Sequence, residues 1–276
     1  MPELPEVESI ARQIHKSIIS STCEHVQFFR KDLRFAIPIQ GIKKVLLQES
    51  CQRVFRRSKY ILLETPKGFV IFHLGMSGNI LLSDKKEPFH KHTHAVFHFA
   101  DKGENLFMHF VDPRRFGLID VHKGGEWETH KLFSHMGLEP LETRDLGKRL
   151  HDVGKKRQLP IKSFLMDAKI LAGVGNIYAC EALFLAGLHP FREASSLTVK
   201  QYEKLAKAVQ ETLTRAIEAG GTSFRDFKST EGQPGYFAVS LNVYGKKNGT
   251  CTRCQTALLR EALQGRSTWY CPSCQK

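Results

Sequence analysis

The chain has 276 residues, of which 41% are hydrophobic, 10% aromatic and 25% charged. That composition belongs to a folded protein with a sizeable core, long enough for about two domains of roughly 150 residues; it excludes a disordered chain, a collagen and a disulfide miniprotein. Against 28 Asp and Glu stand 41 Lys and Arg, and the formal charge of +13 favours a polyanionic partner, either a nucleic acid or an anionic membrane surface.

The opening MPELPEVESI carries Glu3, Glu6 and Glu8 and no basic residue, unlike a secretory leader. No run approaches the roughly 18 apolar residues that would span a membrane. The seven cysteines are an odd number, and Cys251, Cys254, Cys271 and Cys274 crowd the C-terminus, which speaks against a disulfide framework and for a reducing cytoplasm. Within residues 2–18, Val7, Ile10, Ala11, Ile14 and Ile18 form one helical face, with Pro5 tolerable in its first turn. From Cys23 to about His122 the runs HVQFF, KVLLQ, YILLE, FVIFHL, AVFHF and LFMHFV, broken by PKG and ADKG, predict a two-sheet sandwich with a single helix at its N-terminal edge. Residues 1–135 are therefore expected to form one domain. Residues 136–150, in a charged and irregular stretch that ends in Lys155, Lys156 and Arg157, read as a linker. A helical domain is expected over 151–240. In it Asn176 caps a helix that stops at Gly187, and a Thr198–Gln201 capping box precedes Val199, Tyr202, Leu205, Val209, Leu213 and Ile217, closed by Gly220. Residues 221–240 lack periodicity and read as a long functional loop, and 241–276 as a separate module.

Three motifs carry chemistry. Cys251-x2-Cys254-x16-Cys271-x2-Cys274 has the spacing to hold one Zn²⁺ tetrahedrally with no open position, a structural site that stabilises a module too small for its own core. Two disulfides or four free thiols are the alternative. Lys246, Lys247, Arg253, Arg260, Arg266 and Lys276 outnumber Glu261 around it, which suits DNA or RNA. Gly173-Val-Gly175-Asn176 lacks both the third glycine of a dinucleotide fingerprint and the lysine of a P-loop, so no nucleotide cofactor is expected. Its bare amides beside an Asn make a phosphate seat, or else an ordinary tight turn with an Asn cap. Pro2 stands behind a removable Met1. Its freed secondary amine, with a pKa near about 8 against about 10.4 for lysine, is partly unprotonated at neutral pH and can attack a sugar C1′ to give an iminium ion. Glu3 could exchange the proton. The bland alternative is a helix N-cap.

MPELPEVE, SKYILLE, HLGMSG, DPRRFG, GVGNIYACEALF, GGTSFRDF, PGYF, VYG and GRSTWYCPSCQK follow one another in one order along nearly the whole chain. Together they resemble the bacterial formamidopyrimidine-DNA glycosylase family, whose members remove 8-oxoguanine and ring-opened purines. The resemblance implies a multidomain α+β protein: an N-terminal β-sandwich flanked by a helix, a helix-two-turn-helix domain and a C-terminal β-ribbon zinc finger, with damaged double-stranded DNA in the cleft between halves. It implies a monomer with glycosylase and lyase activity and one structural Zn²⁺. Residue by residue, Pro2 corresponds to the Schiff-base nucleophile, Glu3 to its acid/base neighbour and Lys59 to the proton donor of β-elimination. Crowding by Arg53, Arg56 and Arg57 is expected to lower the Lys59 pKa. Arg266 corresponds to the ribbon arginine that contacts phosphate and is assigned to δ-elimination; being always protonated, it suits the first role better. Met76, Arg114 and Phe116 correspond to the residues that fill the gap left by a flipped nucleotide, and His92, Arg157, Lys162 and Asn176 to further DNA contacts. Residues 221–237 align with the loop over the extruded base. Lys246 stands where the family has arginine, and Leu138 replaces a proline, which predicts a looser linker. A sister family acting on oxidised pyrimidines typically opens MPEGPE, against which Leu4 speaks. A non-catalytic DNA-binding ribbon protein would have no use for Pro2, Glu3 and Lys59 together.

Overall fold

The computed structural model describes residues 1–84, 90–101, 103–221 and 241–276, so the expected loop over 221–240 lies, but for Gly221, outside the described residues. The chain divides into two compact units, one built on Met1–Ser134 and the other on His135–Glu218 with the C-terminal segment. Among the described residues no helix is long and apolar enough to cross a membrane.

In the first unit, helix α1 (Leu4–Ile18) buries Val7, Ile10, Ala11, Ile14 and Ile18, the face read from the sequence. Two four-stranded antiparallel sheets follow. One runs β1 (Thr22–Phe28), β6 (Thr93–Asp101), β7 (Glu104–Val111), β5 (Asn79–Ser83), and the other β2 (Arg53–Arg57), β3 (Tyr60–Thr65), β4 (Gly68–His73), β8 (Leu118–Lys123). They close on a core in which Phe72 of one sheet meets Phe97 and Phe110 of the other at ring-centroid distances of 5.4 and 6.2 Å. Truncating any of these to alanine is worth about 3–5 kcal/mol. The run KVLLQ is not a strand. It ends a second helix, α2 (Ile39–Leu46), because Ile42, Val45 and Leu46 recur at helical spacing and all three are buried. So, among the described residues, two helices, not one, flank the sandwich.

In the second unit, α3 (Leu146–Gly154) begins inside the expected linker, and α4 (Ile161–Met166), α5 (Asn176–Ala186) and α6 (Val199–Glu218) follow. The capping box at α6 forms as read: the Thr198 amide donates to Gln201 Oε1 at 2.9 Å, and the Gln201 amide to Thr198 Oγ1 at 3.3 Å. Gly187 ends α5 at φ +71, the left-handed turn a glycine takes most easily. Leu138 does not loosen its segment. Its amide donates to the Ile170 carbonyl at 3.0 Å and its carbonyl accepts from Ala172 at 2.8 Å. The hairpin of β9 (Leu259–Leu263) and β10 (Arg266–Tyr270) is no separate module either, since Cys180 and Phe184 of α5 share one core with Val243, Cys251, Leu258, Trp269 and Cys271. Arg253 seals the junction, stacked 4.4 Å from the Phe184 ring and donating at 3.1 Å to the Phe184 carbonyl, which also accepts from the Gly187 amide at the end of α5.

Candidate nucleic-acid interface and metal centre

Strand register gathers the candidate residues of the first unit. Tyr60 pairs with His73, and His73 with Leu118, so the ends of β3, β4 and β8 lie side by side. The turns leaving them carry Lys59, Met76 and Phe116. In the other sheet Asn79 and Thr93 both pair with Val111, which brings Ser77, His92 and Asp112 alongside one another. The Asp112 amide donates to the His92 carbonyl at 3.1 Å. The two turns touch backbone to backbone: a Cβ on Gly75, which sits at φ +62, would lie 2.4 Å from the Phe116 carbonyl carbon. Met76 and Phe116 project from them 41% and 45% exposed, and the Arg114 guanidinium lies 4.8 Å from the Phe116 ring. Exposed apolar side chains on a rigid, basic turn suit insertion into a nucleic-acid stack.

Glu3 is the N-cap of α1 and forms a reciprocal capping box with Glu6; its amide donates to Glu6 Oε2 at 2.8 Å. Pro2 is buried directly before it and Met1 is exposed. The side chain of Arg56, itself buried, ion-pairs with Glu8 at 2.8 Å and donates to the Ser58 carbonyl at 3.0 Å. The first turns of α1 are thereby held against the β2–β3 hairpin turn, Ser58–Lys59, with Glu3 about 7.5 Å up the helix axis from Glu8. The arginine crowd expected around Lys59 is largely neutralised: Arg56 is spent on Glu8, and Arg53 on Glu64 at 2.8 Å.

The sequence reading passed over His73. Burial pushes its imidazole down to about 4, helped by the Lys59 and Arg34 charges and opposed by Asp112. Its Nδ1 accepts the Gly75 amide at 3.0 Å, so the neutral ring carries its proton on Nε2. Below pH 6.5 the unfolded chain takes a proton that the folded chain refuses until about pH 4. His73 therefore contributes stability above pH 6.5 that is lost as the pH falls through that window, at most about 3 kcal/mol at about 1.36 kcal/mol per pH unit. Urea unfolding at pH 7 and pH 4.5 is expected to show a smaller loss in His73→Gln than in the native chain; equal losses would refute it.

In the second unit, Arg266 is exposed just beyond the Gln264–Gly265 turn, whose residues sit at φ +48 and +73, the pair a tight hairpin needs. Arg157 is also exposed. Asn176 is the first residue of α5 rather than its cap, which is Gly175. Its Nδ2 donates to the Ser267 carbonyl at 2.9 Å and to the Tyr244 hydroxyl at 3.3 Å. Lys162 is only 1% exposed, and its Nζ donates to Thr268 Oγ1 at 2.8 Å and the Ser267 carbonyl at 3.4 Å. Both residues thus brace the strand behind Arg266, and a cleft of about 380 Å³ opens beside it between Leu159, Ser163, Met166 and Leu263. Glu181, which stands within GVGNIYACEALF but was given no role from the sequence, is a buried carboxylate that accepts from the amides of Asn242, Val243 and Tyr244 at 2.8–2.9 Å and so fixes Tyr244.

The four ribbon cysteines bring their sulfurs within 4.8 Å of one another. Cys251–Cys274 and Cys254–Cys271 are 3.8 and 3.5 Å apart, far beyond a disulfide. Tetrahedral bonds of about 2.3 Å would set sulfurs about 3.8 Å apart, so the cluster fits a metal ion. The Arg253 amide donates to Cys251 Sγ and the Cys274 amide to Cys271 Sγ, both at 3.4 Å, as suits thiolates. The Thr256 hydroxyl and amide pull the Cys254 thiol down to about 6, and the neighbouring Cys254 sulfur pushes Cys274 up to about 12. Four thiols this close cannot all ionise without a cation between them.

Comparison with known proteins gives a consistent result. A sequence model of the formamidopyrimidine-DNA glycosylase N-terminal domain matches residues 1–119, and one of the formamidopyrimidine-DNA glycosylase H2TH domain matches residues 136–228. A relative from Ruthia magnifica subsp. Calyptogena magnifica, named formamidopyrimidine-DNA glycosylase, is 41% identical over 275 residues, covering all of both chains. Among solved structures, the Lactococcus lactis Fpg complex with abasic-site DNA is 30% identical at a TM-score of 0.89 over 99% of both chains. A complex of MutM with DNA containing carbocyclic 8-oxo-G is 31% identical at a TM-score of 0.88 over 100% of both.

Proposed function

Because the chain belongs to the formamidopyrimidine-DNA glycosylase family, we propose that it excises oxidised purines, 8-oxoguanine and formamidopyrimidines, from duplex DNA and then nicks the strand as a lyase. The observation that carries the reading for this chain is the register that gathers the Lys59, Met76 and Phe116 turns at one end of the sandwich, with the first turns of α1 beside the Lys59 hairpin. Structures of relatives in complex with DNA containing carbocyclic 8-oxo-G or an abasic site support the substrate class.

In this reading the Pro2 nitrogen, freed by loss of Met1, attacks C1′ as the glycosidic bond breaks, and the base leaves with a proton supplied through Glu3. The nitrogen gives up its proton, and cleavage of C1′–O4′, with O4′ taking a proton, opens the sugar to an iminium ion that acidifies the C2′ proton. Loss of that proton and of the C3′–O bond expels the 3′-phosphate, whose departing oxygen Lys59 protonates, and loss of the C4′ proton and the C5′–O bond in a second elimination expels the 5′-phosphate. Met76 and Phe116 occupy the vacated stack, and Arg114 reads the orphaned base. His92, Arg157 and Arg266 engage phosphates, and Asn176 also serves a phosphate through its helix terminus. For Lys162 the burial and its bonds to Ser267 and Thr268 favour supporting the Arg266 hairpin from behind over touching DNA itself. The metal is Zn²⁺, held by Cys251, Cys254, Cys271 and Cys274, and supplies folding energy rather than chemistry. Borohydride trapping on a duplex containing 8-oxoguanine tests the whole reading: a covalent adduct is expected, and a protein that binds without trapping is not this enzyme.

The wedge makes its own prediction. Unstacking a base step takes a few kcal/mol, so Phe116→Ala should slow single-turnover excision by about one to three decades while leaving affinity for undamaged duplex nearly unchanged. Arg114→Ala should also lose discrimination among the four opposing bases. Equal slowing against all four would reduce Arg114 to a phosphate or packing residue.

A further inference from the structure

We propose that Asp112 is a positioning residue that fastens the Met76 turn and the Arg114–Phe116 turn into one rigid wedge, so that both side chains enter the DNA stack as a unit. The proposal rests on the wedge role argued above and deepens it.

Asp112 is completely buried, and every polar atom it has is engaged. Oδ1 accepts from the Ser77 hydroxyl at 2.8 Å and from the Arg114 amide at 3.2 Å. Oδ2 accepts from the Gly117 amide at 2.7 Å. The backbone carbonyl accepts from the Arg115 amide at 3.3 Å and from His94 Nε2 at 2.8 Å. One carboxylate therefore holds the residue after Met76, the residue before the Arg115–Phe116 pair and the residue after it. Ser77 closes the link, because its hydroxyl oxygen also accepts the Arg114 amide at 3.3 Å. Donors replace the water that a buried carboxylate loses, and each such bond to a charged acceptor is stronger than a neutral one.

Two features show what the clamp works against. Arg115 sits at φ +58, a left-handed conformation that an arginine adopts only where its surroundings impose it. Met76 and Phe116 are exposed, so among the described residues no apolar packing over them fixes the turns from above. Their aim is set from beneath, through Asp112 and the close Gly75–Phe116 backbone contact. A wedge that pushes a base out of a stack must transmit force, and two independently swivelling turns would yield instead.

Ser77→Ala removes the strap to the Met76 turn and leaves the Gly117 bond alone. Asp112→Asn keeps the shape but points an NH2 at donors or loses one acceptor. Three readouts separate positioning from structural support. Single-turnover excision of 8-oxoguanine should slow about 10-fold or more in both variants. Borohydride trapping on a preformed abasic duplex, where no base has to be extruded, should stay within about threefold of the native chain. The fluorescence rise of 2-aminopurine placed beside the lesion, which reports unstacking, should slow in step with excision. Unchanged excision in both variants overturns the proposal. Trapping on abasic DNA that falls in proportion to excision also overturns it, because Asp112 would then merely support the fold. If the native chain itself fails to trap on abasic DNA, the enzymatic reading fails instead, a result these variants do not mimic.

Discussion

Pro2→Gly is expected to lower both lyase activity and borohydride trapping by at least about 10²-fold, the lower end of what a positioned catalytic group contributes. A chain that retains Met1 should do the same, because an amide nitrogen in place of the amine cannot form an iminium ion. The local structure explains why the effect should be confined to chemistry. Helix α1 is started by the Glu3–Glu6 capping box and anchored through Glu8 to buried Arg56, and none of these bonds uses the Pro2 ring or its nitrogen. The variant should therefore fold and bind damaged duplex with nearly native affinity. Glu3→Gln gives the complementary pattern. It removes the proton needed by a departing base, so excision should fall by about 10²–10⁴, yet an abasic duplex has no base to release and should still be trapped. Mass spectrometry of the adduct should find DNA on residue 2. An adduct mainly on Lys59 would transfer the nucleophile to the hairpin turn and undo the assignment.

How much of this could be read in the chain follows from the range of the interactions. The α1 face, the α6 capping box and the cysteine spacing are local patterns, and each formed as read. KVLLQ misled because five apolar-rich residues fit a strand as well as a helix end, and only the burial of Ile42, Val45 and Leu46 against the sandwich decides. The protein partners of Lys162 and Asn176 were hidden for another reason. Their partners, Ser267 and Thr268, lie about a hundred positions away, and nothing in the local pattern says that an ammonium will be consumed by a hydroxyl from β10. The pairs Arg56–Glu8, 48 positions apart, and Arg53–Glu64, 11 apart across the β2–β3 hairpin, were hidden for want of the register, and without them the arginines around Lys59 look like an uncompensated crowd. Asp112 stood within DPRRFG and Ser77 within HLGMSG, but their junction appears only once β5 and β7 are in register.

Cys254→Ser should release the metal, unfold the ribbon and weaken DNA binding severely while the N-terminal sandwich stays folded. Apparent zinc affinities of zinc-finger peptides correspond to about 10–16 kcal/mol, as much as the whole stability of an ordinary domain. The ribbon has no comparable reserve. Its apolar residues Val243, Leu258 and Trp269 share a core with α5 but make no core of their own, and its exposed strand β9 contributes little burial. The sandwich, by contrast, is held by its own apolar core around Phe72, Phe97 and Phe110. Unfolding the hairpin removes Arg266 and its basic neighbours Arg253 and Arg260 from the surface. For every phosphate that the protein no longer neutralises, the dependence of log K on log salt should flatten by about 0.9. The affinity loss is therefore expected to be large at low salt and smaller at high salt, a signature that a mere drop in the amount of folded protein would not give. Chelation of the native chain should reproduce it, and zinc should reverse it. Stoichiometric zinc in purified Cys254→Ser would show that the ligand set is wrong. A native chain that purifies with an equivalent of a different metal would show that the sulfur cluster is right and the ion is not.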